Sequence, residues 1–153
     1  MQSKINLNDF SDFLRKKASN VNSELEKKIK LCCEKVRSDI QESMAHTPRD
    51  MSKTYYTNNK TTGHHPSLPD NPPAPDTGNL RESIRYEVHD EKREVYGIVG
   101  STQKDPDYAT YTEYGTEKMA PRPWLRPAMR KNNNFIRKSI AKAVANTLSG
   151  SEK

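Results

Sequence analysis

The sequence predicts an α+β fold, and three observations predict it. An apolar stripe of helical period runs from Leu7 to Met44. Residues 84–101 are rich in β-branched and aromatic side chains and alternate with period two. A second helical stripe follows Pro127 and ends at Leu148. Period separates the two kinds of element: 3.6 residues for a helix with one buried face, 2 for a half-buried strand. The 153 residues then divide as a long helix over 7–45, a Pro-rich loop over 46–78 and a small antiparallel sheet over 79–117. An extended linker over 118–126, a helix over 127–148 and a flexible tail over 149–153 complete a single domain, with both helices packed on the sheet.

The first stripe is Leu7, Phe10, Leu14, Ala18, Val21, Leu25, Ile29, Cys32, Val36, Ile40 and Met44, with Lys, Glu, Ser, Asn and Asp between. Its spacing of three or four residues is helical. The stripe stays in phase across Ser19–Ser23, where Ser23 and Glu26 could form a capping box, so one continuous helix is expected. At 1.5 Å per residue it is ~57 Å long, while a compact domain of this size has a radius of gyration of roughly 15 Å. Such a helix overhangs its own domain. Cys32 and Cys33 are adjacent, form no disulfide framework, and are expected as small buried side chains.

Thr47-Pro48 stops the helix. The segment that follows has few aliphatic residues, no period, and prolines at 48, 66, 69, 72, 73 and 75. It reads as an extended arm that reaches a neighbour or orders on assembly. Gly78 then turns the chain into a first strand from about Leu80, with Ile84, Tyr86 and Val88 on one face. A polar connection, 90–93, leads to a second strand, Glu94–Ser101, in which Gly97 and Gly100 suggest a bulge or a close backbone approach. Asp105-Pro106-Asp107 turns the chain again. Residues 108–114 fit a third strand or a short helix, and the pattern does not choose.

Pro127 suits the first position of the last helix. Met129, Ile136, Ile140, Val144 and Leu148 are its expected apolar face. The stretch 118–142 holds eight basic residues and no acidic one: Lys118, Arg122, Arg126, Arg130, Lys131, Arg137, Lys138 and Lys142. This basic face is either a solvated helix surface or an electrostatic seat for an acidic ring or DNA. Trp124, between Pro123 and Leu125, is a core anchor or an inter-subunit hot spot.

Composition narrows the function. Hydrophobic residues are only 31% of the chain and charged residues 30%, with a net charge of +6. Typical domains are roughly 45–50% apolar, so the core is thin, and either part of the chain stays disordered or neighbours complete it. A basic balance suits a polyanionic partner. Without an apolar leader or a stretch of about 18–20 apolar residues, a soluble protein of a reducing cytoplasm is expected, with no membrane partner. No catalytic site is expected: there is no G-x-S-x-G, H-E-x-x-H, P-loop or dinucleotide turn. No metal or other cofactor is expected either, because His46, His64, His65, His89 and the Cys pair lack zinc spacing.

Three phrases remain, all made of turn and backbone devices: Thr77-Gly78-Asn79-Leu80-Arg81-Glu82-Ser83-Ile84; Tyr108-Ala109 with Glu113-Tyr114-Gly115-Thr116; and Pro123-Trp124-Leu125-Arg126-Pro127-Ala128. In this order and behind a long helix, they resemble the neck proteins of tailed bacteriophages, the gene-product-ten-like family of head–tail joining, tail-completion and tail-terminator proteins. The likeness covers about residues 7–148 and departs from the family in the lengthened 46–75 segment. It implies a virion structural protein that caps the head-proximal end of the tail and joins it to the head connector. It also implies a homo-oligomeric ring, commonly sixfold, with the tail tube protein and a head-completion or connector protein as partners and non-specific contact with channel DNA possible. Thr77, Gly78, Leu80, Arg81, Ser83, Tyr108, Glu113, Gly115, Thr116, Pro123, Trp124, Leu125 and Pro127 are then the interface or structural motif residues, and Gly115→Val is expected to abolish joining while leaving the isolated fold largely intact. The alternative is a basic nucleic-acid-binding protein.

Overall fold

The structure, a computed structural model, describes residues 7–56, 63–91, 94–102 and 106–149. It is an α+β fold. In chain order, the described residues form α1 (Leu7–Ala45), β1 (Tyr55–Tyr56), β2 (Gly63–His64), α2 (Asn79–Ser83), β3 (Ile84–Glu91), β4 (Glu94–Ser101), α3 (Pro106–Tyr114) and α4 (Leu125–Ser149). Two antiparallel two-stranded sheets, β1–β2 and β3–β4, replace the single sheet expected. In the first, Tyr55 pairs with His64 and Tyr56 with Gly63. No described helix is long and apolar enough to cross a membrane.

The fold divides into two compact units. One comprises Met1–Cys32, Glu87–Ile98 and Asn134–Lys153; the other comprises Cys33–Tyr86 and Val99–Asn133. In the first, Lys17 Nζ donates to the Thr147 carbonyl at 3.3 Å. Cys32 hydrogen-bonds Ser139, and burial pushes its thiol pKa up. These contacts make the two helical stretches antiparallel, because partners on one descend as those on the other ascend. Ile29, Cys32, Ala143 and Thr147 are buried there. His89 stacks on Tyr96, with centroids 5.0 Å apart.

The second unit holds most of the core: Val36, Ile40, Met44, Leu80, Ile84, Trp124 and Ala128. Buried Asp39 accepts from Asn132 Nδ2 at 2.7 Å, with Lys35 and Lys131 at 3.3 and 3.6 Å. Burial raises the Asp39 pKa, but these partners outweigh it and hold the carboxyl below its ordinary value. Replacing Asn132 by Ala is expected to destabilise the fold by about 1–2 kcal/mol, because the buried carboxylate loses its one fully buried donor. Urea unfolding at neutral pH measures the loss.

Several expectations change. The strand expected from Leu80 starts at Ile84; Leu80 and Ile84, both buried and four apart, set a helical spacing that makes 79–83 one turn of helix. Residues 108–114 are helical because Ala109, Thr112 and Glu113 form the buried face. Pro106 begins that helix, where its missing N–H costs nothing. A Cβ on Gly100 meets nothing within 4 Å, so no backbone approaches there. The buried line of α4 is Ala128, Asn132, Ala143 and Thr147, while Met129 and Leu148 are exposed. Small side chains let helices approach closely, and a count of large apolar residues misses them.

The 46–78 segment is also less free than an extended arm. Thr47 Oγ1 donates to the Pro72 carbonyl and Arg49 to that of Pro75, the Asp50 N–H to Pro66 and the Leu68 N–H to Pro48. The Pro-rich half thus folds back along residues 47–50. Residues 57–62 of the expected arm, 92–93 of the polar connection, Asp105 and the tail beyond Ser149 lie outside the described residues.

Candidate assembly surface

Two of the three phrases meet at one carboxylate. Glu113, on the buried side of α3 and 3% exposed, reaches the start of α4. Its Oε2 accepts the N–H groups of Trp124 and Leu125 at 2.7 and 2.9 Å. Its Oε1 accepts the Arg126 N–H at 3.0 Å and Arg126 Nε at 2.8 Å. Four donors fill the roughly four acceptor sites of a carboxylate, so Glu113 is a clamp with no capacity left for acid–base work. Burial raises its pKa, but the backbone donors and Arg126 outweigh that and hold it below the ordinary glutamate range.

Glu113 also explains why α4 starts at Leu125 and not at Pro127. The first N–H groups of a helix have no partner within it. Here Glu113 supplies the cap from across the turn, and Pro127 inside the first turn has no N–H to satisfy. Arg126 answers in the other direction, its guanidinium donating to the Glu113 carbonyl at 2.8 Å near the end of α3 and lying 4.5 Å from the Tyr114 ring. The carboxylate sits at the positive end of one helix and the cation at the negative end of the other. Trp124 is buried, its Nε1 donating to the Ala109 carbonyl, which makes it the core anchor.

Gly115 follows α3 with φ +79°, its N–H bonded to the Tyr111 carbonyl, a left-handed helix end that favours glycine. A Cβ there would lie 2.8 Å from the Met119 carbonyl oxygen and 2.9 Å from Pro121 N. The expectation that Gly115→Val spares the isolated fold is therefore corrected: the position is closed by backbone. Thr116 pairs with Met119, and the Arg122 N–H donates to the Thr112 carbonyl. Pro123 is half-buried beside Trp124.

The third phrase is brought close by a depression of about 200 Å³. Pro73–Pro75, Thr77, Gly78, Leu80, Arg81 and Tyr108 line it. Gly78, at φ +83°, caps α2 without a side-chain bond. Arg81 offers its carbonyl to Gln41, and Ser83 hydroxyl-bonds Ser101 at 2.7 Å. Residues of the phrases thus build one end of this unit from the inside, and most of them are not exposed.

What faces outward was marked by the phrases only in part, at Tyr108 and Tyr114. While Ala109, Thr112 and Glu113 are buried, Tyr108, Tyr111 and Tyr114 on α3 are exposed, as are Met51, Tyr55, Tyr56 and Leu68 in the segment before α2. Tyrosine and methionine are enriched in protein interfaces. In the other unit, Phe10, Phe13 and Leu14 of α1 are 53%, 54% and 51% exposed. The stripe of α1 is therefore covered from Ile29 onward, half-covered at Val21 and Leu25, and bare at Phe10 and Leu14. Only the i, i+3 spacing of Tyr108, Tyr111 and Tyr114 could have signalled the α3 face, and it needed the helix to be known.

No match links the chain to known proteins. Neither a family model, nor a curated sequence, nor a solved structure matches it. Among the described residues, no three His, Cys, Asp or Glu side chains are grouped to hold a metal ion. His64 faces Asp76 at 3.5 Å and His65 bonds the Lys53 carbonyl. Of the eight basic residues, Arg122 donates to the Ser67 carbonyl and Arg126 and Lys131 have acidic partners. Arg130, Arg137, Lys138 and Lys142 project from α4 into solvent, and Lys118 is exposed before it.

Proposed function

We propose that the chain is a structural, non-catalytic subunit of a phage neck, assembling with copies of itself into a ring that closes the head-proximal end of the tail and joins it to the head connector. One observation carries the reading: the apolar stripe of α1 continues in phase for about two turns beyond the part its own fold covers, leaving Phe10 and Leu14 in solvent with Phe13 exposed beside them. A scattered exposed leucine is ordinary. An in-phase stripe left open on a chain with this little apolar residue marks a surface that neighbours complete. The exposed tyrosines of α3 add the side chains that anchor interfaces. The resemblance carried by the three ordered phrases points to a neck, and the Glu113 clamp ties two of them into a fixed corner that holds the tyrosine face of α3 in place.

The test replaces Phe10, Phe13 and Leu14 together with Ser. The isolated variant should keep its circular dichroism spectrum, since none of the three is buried, and should be monomeric at concentrations where the natural chain is a ring. Supplied to particles lacking the chain, it should leave heads and tails unjoined in electron micrographs. Normal joining by the variant, or a natural chain that is monomeric and dispensable for joining, overturns the reading.

A further inference from the structure

The whole net charge of the protein sits on one helix. The chain carries +6. α4 contains six basic residues and no acidic one, so the rest of the chain is neutral in sum. We propose that the exposed face of α4 bearing Arg130, Arg137, Lys138 and Lys142 is a contact surface for the phosphates of duplex DNA, independent of base sequence. The proposal does not rest on the neck assignment.

Helix stability does not explain this placement. A helix favours acidic residues in its first turn and basic ones in its last. α4 has neither. Its cations begin at the positive end, where only Arg126 is answered by an acidic partner in the first turn. Among the described residues, Arg130, Arg137, Lys138 and Lys142 have no ion pair or hydrogen bond, and all are exposed.

Geometry suits a phosphate backbone. At 100° per residue, Arg130 and Arg137 lie on one line of the helix, and Lys138 and Lys142 on another, roughly 100–120° round it. Between the two lines stand Asn134, Ala141 and Ala145, all exposed and short. The result is a flat strip with a row of cations at each side, on a helix of the width that the roughly 12 Å major groove admits. Within a row, the cations are about 6 or 10 Å apart along the axis, and flexible side chains can meet successive phosphates. No aromatic side chain stands in the strip, and only Asn134 could address a base edge, so contacts to the backbone dominate. The same features argue against an acidic protein partner, whose interface centre would require large aromatic or aliphatic anchors.

The measurement is fluorescence anisotropy of the full chain with two 30-base-pair duplexes of unrelated sequence, from low to physiological salt. Both duplexes should bind alike, with micromolar affinity at low salt. The slope of log K against log salt should be about −4, as four phosphate contacts require. The triple variant R137Q/K138Q/K142Q should reduce that slope by about three and weaken binding at least tenfold, with an unchanged dichroism spectrum. K16Q/K27Q/K30Q on α1 removes the same charge and should leave the slope within about one of the natural value. Absence of binding at low salt, equal loss in both variants, or binding of a polyglutamate peptide in preference to duplex overturns the proposal. Joining of heads and tails is read in a separate assay, so failure of one reading is distinguishable from failure of the other.

Discussion

Glu113→Ala should cost about 2–4 kcal/mol of folding stability, because buried donors are left without a partner and the start of α4 loses its cap. The donors left are the N–H groups of Trp124, Leu125 and Arg126. The Arg126 side chain is 45% exposed, so water takes over its guanidinium. Trp124 is 4% exposed, so water cannot simply replace the carboxylate at its N–H. Natural domains are stable by only about 5–15 kcal/mol. The loss therefore takes a large share of the total, and the melting temperature should fall by about 10 °C. Glu113→Gln should cost less but remain clearly destabilising. It keeps the shape, yet its amide nitrogen faces donors and only one oxygen accepts. Equal stability of Glu113→Ala and the natural chain in urea titrations would show that the corner is not held by this carboxylate.

The same group sets a pH dependence. Glu113 is held below its ordinary value in the folded state, against roughly 4.3 when unfolded. Its contribution is fully present above the unfolded value and is lost as the pH falls through the folded one. Asp39, also depressed, acts in the same direction. Stability of the natural chain should therefore drop as the pH falls below about 4.3, and the curve of Glu113→Gln should converge on it.

Much of the fold was legible because periodicity is local. The α1 stripe, the alternation of Ile84, Tyr86 and Val88, and the stripe after Pro127 each lie within a short stretch of chain, and each element is present. What was illegible depended on distant partners. The start of α4 is fixed by a carboxylate 12 residues before it, not by a Ser, Thr, Asp or Asn next to it, so the local signal pointed to Pro127. The seam of α4 uses Ala128, Asn132, Ala143 and Thr147, small or polar residues that a hydrophobic count passes over. Tyr108–Tyr114 reads as strand or helix until the burial of Thr112 and Glu113 decides it. In the 46–78 segment, proline carbonyls accept bonds from residues 20 or more positions away, which no pattern announces. The three phrases did mark a corner of the structure, but as its internal frame. The side chains that frame presents, Tyr108, Tyr111 and Tyr114, are only partly within them.

Gly115 separates a frame from an interface most sharply. If the residue were small only to admit a neighbouring subunit, Gly115→Ala would be mild and Gly115→Val severe, and both variants would fold. The backbone predicts otherwise. At φ +79° any Cβ is strained, by about 1–2 kcal/mol for an ordinary L-residue and more for a β-branched one. That Cβ would also lie 2.8 Å from the Met119 carbonyl oxygen and 2.9 Å from Pro121 N, atoms of the main chain that cannot rotate away. Ala carries the same Cβ as Val, so Gly115→Ala should already lose about 2–3 kcal/mol and Gly115→Val about 3–4 kcal/mol. Asn tolerates the left-handed region but keeps the Cβ, so Gly115→Asn should fall between the natural chain and Ala, isolating the clash from the dihedral strain. Gly100→Ala, where nothing lies within 4 Å, should stay within about 0.5 kcal/mol. Thermal melts of the four isolated variants decide the matter. A Gly115→Val chain that melts with the natural one would return Gly115 to the subunit interface. A loss already present in Gly115→Ala places any failure of joining upstream of assembly, in the turn that connects α3 to α4.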